Sequence, residues 1–383
     1  MIVIEIIFWL SAFAVVYTYI GYPLMMVARA RIRRKPVAKA YCEPAVSVVL
    51  AVRNEADKIT ARLDNLCRQA YPAGKMEIII VSDASDDETD ESVKNCPDPR
   101  VRLITMPVNG GKALAVNAGV AAARHEIIVF ADARQQFAEN AVRELVANFA
   151  DPQVGCAGGE LVFYESDTST VQVQMGAYWT YEKKLRKAES DTGSMIAASG
   201  CIYAIRKELY TPLPAGTILD DVLTPMNIVR KGYRVVFDAS AVAYDIVSQS
   251  VGQEWKRKVR TLTGNWQLIS LAPWLIVPGL NPVWTRFISH KICRVKVPFW
   301  LIILLLGAAI LPGRAYHLFL GAQALCYLIA VAAGIVPSLR TMRGISFIYF
   351  FAVMNAAALV GFWRWITGSS IRTWKPAYSG ENR

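Results

Sequence analysis

With 383 residues, 54% of them hydrophobic, and a mean hydropathy of +0.29, the chain is long enough for one sizeable soluble domain but too apolar to be only that. A net charge of +11 does not make it a nucleic-acid binder: no recognition motif appears, and much of the excess flanks apolar runs, as at Arg29, Arg31, Arg33, Arg34 and Lys35. Seven cysteines without a CxxC pair and three scattered histidines (His125, His290, His317) exclude a disulfide framework and a zinc site, so any metal chemistry falls to carboxylates.

Taken in chain order, residues 1–28 are an apolar run holding one acid, Glu5. The basic cluster follows this run and no small-residue cleavage site stands out, so it reads as a retained span with its end in the cytosol, not a signal peptide. Residues 46–52 (VSVVLAV) and 76–81 (MEIIIV) are short continuous apolar runs of the kind that form buried parallel strands. Helical spacing covers 55–69, a third strand 101–106, an Ala-rich helix 112–123 and a fourth strand 126–131. Strands alternating with helices predict an α/β domain with a mostly parallel sheet. Further on, 196–205 reads as a strand crossing the core, 223–231 as a helix stopping at Gly232, and 233–237 as another strand. Residues 253–271, rich in Trp, Lys and Arg, suit a helix lying on a membrane surface. Apolar stretches at 297–311, 315–337 and 345–366 are close to the length needed to span a bilayer, the first being short, with Trp274, Trp284, Trp300, Trp363 and Trp365 near their edges.

The expected division is therefore an N-terminal transmembrane helix (1–28), a basic linker (29–45), a catalytic domain (46–250), basic amphipathic interface helices (251–291), transmembrane helices (292–367) and a polar tail (368–383). One span before the domain and three after it would put both termini outside, yet Arg364, Arg372 and Lys375 favour a cytosolic tail. Either 271–289 dips into the membrane or one apolar helix does not cross.

Acidic residues cluster at the carboxyl ends of the predicted strands, where open α/β sheets bind ligands. Ser82-Asp83-Ala84-Ser85-Asp86-Asp87-Glu88 follows the second strand, Asp132-Ala133-Arg134 the fourth, and Asp220-Asp221 a later apolar segment. Transfer from a nucleotide diphosphate sugar needs such a set: polar partners for the nucleoside, positive charge or a divalent cation for the leaving diphosphate, and a carboxylate as base for the acceptor hydroxyl.

The ordered segments VSVVLAVRNEA, IIIVSDASDDET, NGGKALAVNAG, IIVFADAR, LDD and KRKVRTLTGNW, spread over Val46 to Trp266, resemble the inverting family two glycosyltransferases of the GT-A (Rossmann-like) fold, which include cellulose, chitin and hyaluronan synthases. The resemblance implies an inverting hexosyltransferase in the cell (inner) membrane with a cytosolic catalytic domain. Its partners would be a nucleotide-sugar donor, with UDP favoured, a glycan or lipid-linked acceptor, and membrane lipid.

Carried over residue by residue, Asp83 would hold the base, with Arg53, Asn54, Glu55 and Ser85 lining the same pocket. Lys112 would approach the donor phosphates from a helix start, where the N-terminal dipole also attracts anions. Asp132 would be the first acid of an Asp-x-Asp motif and would bind Mg²⁺ or Mn²⁺; Arg134 stands where the second acid is expected and could itself neutralise phosphate. Asp221 would be the general base, with Asp220 beside it orienting substrate. Ser199 and Gly200 match an acceptor-side turn. In the Gln-x-x-Arg-Trp window, Arg260 matches, Arg257 replaces Gln and Thr261 replaces Trp, for which Trp266 or Trp255 would have to substitute in space.

The plain alternatives are a turn acid at Asp83, a solvated Lys112, a helix cap at Asp220-Asp221 and a lipid-facing basic helix at Arg257 and Arg260. They would fit a catalytically weak homologue that binds a nucleotide or a partner. A transporter alone would not need three acid clusters at strand ends and would carry polar residues in its spans.

Overall fold

The structure, a computed structural model, describes residues 1–164, 170–246 and 251–368. Arg372 and Lys375 of the expected tail lie outside the described residues.

Long apolar runs without polar alternation must be buried on both faces, and the centre of the domain shows this. All seven residues of β1 (Val46–Val52) and all seven of β2 (Met76–Ser82) are buried. With β3 (Val101–Thr105), β4 (Ile127–Ala131), β5 (Gln136–Phe137), β6 (Val154–Tyr164), β7 (Ile202–Arg206) and β8 (Arg234–Ile246), they form a sheet ordered β3-β2-β1-β4-β7-β6-β8-β5. Strands β3, β2, β1 and β4 run parallel, β7 runs antiparallel to both β4 and β6, β6 and β8 are parallel, and β5 is antiparallel to β8. The chain moves outward from β1 to β2 and β3, then returns to the other side of β1 as β4. That reversal opens a crevice at the carboxyl ends of β1 and β4.

Helices close both faces of the sheet. In Ala56–Cys67, apolar residues recur at helical spacing, burying Ile59, Leu63 and Leu66 with Val48, Leu50 and Ile78. On the opposite face, Lys112–Ala122 and Asp220–Arg230 pack Ala115, Val116, Leu223 and Met226 against Val49, Ile79 and Tyr203. The expected single strand over 196–205 is corrected: only Ile202–Arg206 pairs, while Ser199 and Gly200 turn the chain and Ala198 N–H donates to the Asp221 carbonyl at 2.9 Å.

Among the described residues, four helices are long and apolar enough to cross a membrane: Ile2–Ile32, Trp284–Ile310, Arg314–Ile335 and Gly344–Ile366. The second is not the short stretch expected. It begins at Trp284, passes through a π-helical turn at Ile288–Ile292 and continues through Pro298, so the expected interface segment 251–291 divides into the Val251–Leu271 helix, a bend and the first turns of this long helix. Phe8 is buried with Leu304, Ala308 and Leu311, and meets Tyr316 and Phe319 edge-on, locking the first three apolar helices together. The fourth runs alongside Val251–Leu271: Gly361 lies against the Leu262–Thr263 backbone, and Trp365 Nε1 donates to Ser270 Oγ at 3.1 Å.

Buried charges dock these helices onto the domain. Glu189, at the end of the Thr170–Asp191 helix, accepts from Tyr22 Oη at 2.6 Å and meets His290 Nδ1 at 2.8 Å. Glu182, two turns earlier, faces His290 Nε2 and Arg294, both at 2.8 Å. Arg286 donates to the Glu189, Thr192 and Ser194 carbonyls. Charged hydrogen bonds of this kind contribute on the order of 1.5–3 kcal/mol each when buried partners match, which ties these apolar helices to the α/β domain.

Candidate active site

The carboxyl ends of β1 and β2 are shaped by two residues in the left-handed region, Asn54 (φ 53°) and Ala84 (φ 52°). Asparagine tolerates that conformation; alanine there costs of order 1 kcal/mol and persists only where surroundings enforce it. Arg53 enforces it by donating to the carbonyls of Asp83 (2.5 Å) and Ala84 (2.7 Å). Asn54 binds Ser85 Oγ through its backbone and Asp86 through its amide. Glu55 pairs with Lys58, and burial raises its pKa. Arg53, Asn54, Glu55, Asp83 and Ser85 therefore form one hydrogen-bonded cluster at the crevice.

Asp83 is fully buried, and its carboxylate oxygens accept from the Gly110 (2.7 Å) and Gly111 (2.9 Å) amides. Its visible work is to hold that turn, in which Gly111 has a φ of 85° that a side chain would resist. The turn aims Lys112, the first residue of the next helix, into the crevice. Lys112 Nζ lies 2.9 Å from Asp132 Oδ1 and 3.5 Å from Asp220 Oδ2. Burial alone would lower the Lys112 pKa, but Asp132 and Asp220 outweigh it and hold the ammonium firmly charged. One half-buried cation thus joins an acid at the end of β4 to one at the start of the Asp220–Arg230 helix.

Asp221 turns the other way, toward the Ser199–Gly200 turn. A Cβ at Gly200 would stand 3.3 Å from Asp221 Oδ2, so the absent side chain lets the backbone pass close to the carboxylate. Burial, then the neighbouring charge of Asp220, pushes the Asp221 pKa up to about 6, against the pull of Lys291, Lys112 and Arg186. A carboxylate that titrates near neutrality can accept a proton from a hydroxyl and still be ionised beforehand.

The remaining sequence-predicted residues stand in these surroundings. Arg134, with Gln135, binds Asp245, which is almost fully buried on β8. Arg257 is paired with Glu254 at 2.8 Å. Trp266 is buried among Phe299, Phe362 and Trp365, stacking on Trp365 at 5.7 Å. Nine residues after Arg257, two and a half turns on, it falls on the opposite, apolar side of the amphipathic helix. Arg260 is half-buried and makes no ion pair among the described residues.

Two residues were missed. Arg186 donates to Ser199 Oγ at 3.0 Å and lies 3.6 Å from Glu182. Lys291, in the first turns of the Trp284–Ile310 helix, acts on the Asp221 charge from the membrane side and makes no ion pair among the described residues. In sequence, Arg186 belongs to a charged helical run (EKKLRK) and Lys291 is an ordinary cytosolic flank; only long-range packing brings them to Asp221.

Asp132 suits a hard cation. Its side chain is 34% exposed at the mouth of the crevice and, among the described residues, only its Oδ1 is bonded. No three acidic, histidine or cysteine groups among the described residues close on one point, so Mg²⁺ or Mn²⁺ would complete its shell from donor phosphate oxygens, as hard cations commonly do.

Residues 47–211 match the family described as Glycosyl transferase family 2. A poly-beta-1,6-N-acetyl-D-glucosamine synthase of Staphylococcus aureus (strain MSSA476) is 24% identical over 246 residues, 63% of this chain and 59% of the relative. The synthase of Staphylococcus epidermidis is 23% identical over 229 residues, 58% of this chain and 55% of the relative. The matches thus span less than two thirds of these relatives' length. Among solved structures, the mannosyltransferase PcManGT from Pyrobaculum calidifontis, in complex with GDP-Man and Mn²⁺, superposes with a TM-score of 0.72 at 23% identity, covering 94% of this chain and 99% of that one, a likeness of fold. Residues 47–211 thus match glycosyl transferase family 2 and fold as a GT-A domain, and the chain, which among the described residues has four helices long and apolar enough to cross a membrane, is similar to exopolysaccharide synthases.

Proposed function

We propose that the protein transfers a hexose with inversion from a nucleotide sugar, UDP-linked by preference, to a glycan or lipid-linked acceptor, with Asp221 as general base. The observation that carries this reading is the split acid pair: Asp220 is engaged by Lys112, and Asp221, half-buried with its pKa raised to about 6, faces the turn at Ser199. The nucleoside lies over the Arg53–Asn54–Glu55 and Asp83–Ser85 loops. Lys112 carries leaving-group charge, and Arg260 adds a second cation from the amphipathic helix. Asp132 would hold the divalent cation, whose chemistry is to neutralise charge on the diphosphate. Asp221 takes the proton of the acceptor hydroxyl as its oxygen bonds to the anomeric carbon. The bond from that carbon to the diphosphate breaks, and the electron pair leaves with the nucleotide.

A silent homologue would draw its support from Arg134 and the altered basic motif. With Arg134 turned to Asp245, the Lys112–Asp132–Asp220 arrangement is intact, which favours the active reading. The test is a panel of UDP- and GDP-sugars supplied with Mg²⁺ or Mn²⁺. Asp221→Asn should lower transfer by about 10²–10⁴-fold while nucleotide binding, measured by titration, is unchanged. Activity within a few-fold of the parent would remove Asp221 as base, and no turnover of any donor by the parent would favour the silent reading.

The orientation we propose puts the domain in the cytosol at the cell (inner) membrane, supported by Arg29 to Lys35 after the first helix. Three helices cross, while Gly344–Ile366 lies with Val251–Leu271 along the membrane face, supported by their side-by-side packing. A C-terminal tag should then be protected from protease added outside intact cells; cleavage there would restore the fourth crossing.

A further inference from the structure

The acid pair separates two cationic centres. On one side, Lys112 meets Asp132 and Asp220. On the other, Arg186 binds Ser199 Oγ, and Gly200, next in sequence, lies against the Asp221 carboxylate. Lys291 enters the same neighbourhood from the membrane helix and, with Arg186, draws the Asp221 charge down against its burial. The donor diphosphate accounts for the first centre. It does not account for the second, which sits beyond Asp221 on the side of the acceptor turn.

Glu182 fixes this second centre. It holds Arg186 at 3.6 Å, while His290 and Arg294 bind its two oxygens from the membrane helix. The acid is thus shared among three partners and offers Lys291 no ion pair among the described residues. Lys291 is drawn by Asp221 and Glu182 at longer range and repelled by Arg186 and Arg294, so this half-buried ammonium among cations gains from an arriving anion.

Lys291 also begins a face. Pro298 stands seven residues on, and Leu301, Ile302 and Leu305 continue at spacings that keep side chains on one side of a helix. These residues, with Trp255 and Tyr327, line an apolar hollow of about 520 Å³ among four helices. The cation therefore lies at the domain end of the same helix face that lines the hollow, an arrangement complementary to an amphiphile with an anionic head and a long apolar chain.

We propose that Arg186 and Lys291 form a binding site for the phosphate of a lipid-linked acceptor, whose chain lies in the hollow lined by Trp255, Pro298, Leu301 and Tyr327 and whose sugar hydroxyl is thereby presented to Asp221. This rests on the reading of Asp221 as base. The bond made and the bond broken are those already given; the lipid phosphate takes no part in the step and acts as a positioning handle.

The test is calorimetric binding to the full-length protein in a neutral maltoside detergent, with farnesyl phosphate, farnesol and inorganic phosphate as separate probes. Farnesyl phosphate should bind at least about tenfold more tightly than either other probe. Lys291→Gln and Arg186→Gln should each weaken it by about tenfold, the effect of losing one charged contact, and leave farnesol unchanged. Lys291→Arg should restore it. UDP and GDP titrations confirm that each variant is folded. Equal binding of farnesyl phosphate and farnesol would overturn the anion site, and inorganic phosphate binding as tightly as farnesyl phosphate would overturn the lipid. Variants that bind like the parent would overturn both residue assignments. Asp221→Asn should bind farnesyl phosphate as tightly or more tightly while losing transfer. If it transfers normally and Lys291→Gln still loses farnesyl phosphate, the base assignment falls and the anion site stands.

Discussion

The two sides of the acid pair are built differently. The donor side is short-range: Asp83, the Gly110–Gly111 turn, Lys112 and Asp132 sit at the ends of neighbouring parallel strands, and one ammonium ties them together. The membrane side is assembled over long distances, with Ser199, Arg186 and Lys291 coming from a loop, a domain helix and a membrane helix, joined through Glu182 and His290. A sheet edge supplies the first for any member of such a fold. The second takes Lys291 from a helix long and apolar enough to cross a membrane, so on the proposed reading that helix completes the site.

That contrast can be broken in order of size. Lys112→Met removes the half-buried cation of the proposed donor side and should lower transfer by about 10²–10³-fold, the usual effect of losing one transition-state charge donor, with weaker nucleotide binding in titrations. A change below tenfold would make Lys112 a structural partner of Asp132 and Asp220. Trp266→Ala should act through stability instead: it empties a packed aromatic site and should cost about 3 kcal/mol in thermal unfolding. The acceptor KM of the surviving enzyme should not move. A raised KM without loss of stability would return Trp266 to the acceptor.

The sequence carried the donor side well, for physical reasons. VSVVLAV and MEIIIV are uninterrupted because both faces of β1 and β2 are covered, and the acids that follow them have no other place in an open α/β sheet than the carboxyl-end crevice. Legibility fails where partners are remote. Arg134 and Asp245 lie 111 positions apart, so the arginine reads as a free cation until β8 arrives beside it. The strand β6 is obscured by Gly155, Gly158 and Gly159, which weaken its apolar pattern. Trp266 carries an aromatic signal that fits either a sugar platform or a helix contact, and the Gly344–Ile366 helix decides for the latter. Arg186 and Lys291 were illegible because a charge on a helix surface and a charge flanking a span are ordinary.

The central claim, a half-buried base poised between two cationic centres, is tested most directly by the pH profile of kcat/KM for the parent and for Lys291→Gln. The base works ionised, so activity should rise with pH through about 6 and be lost below it. Removing the Lys291 cation should move that acid limb to higher pH, because the ionised carboxylate loses a favourable neighbour. A parent profile flat down to pH 4, or a limb that Lys291→Gln leaves in place, would contradict the account.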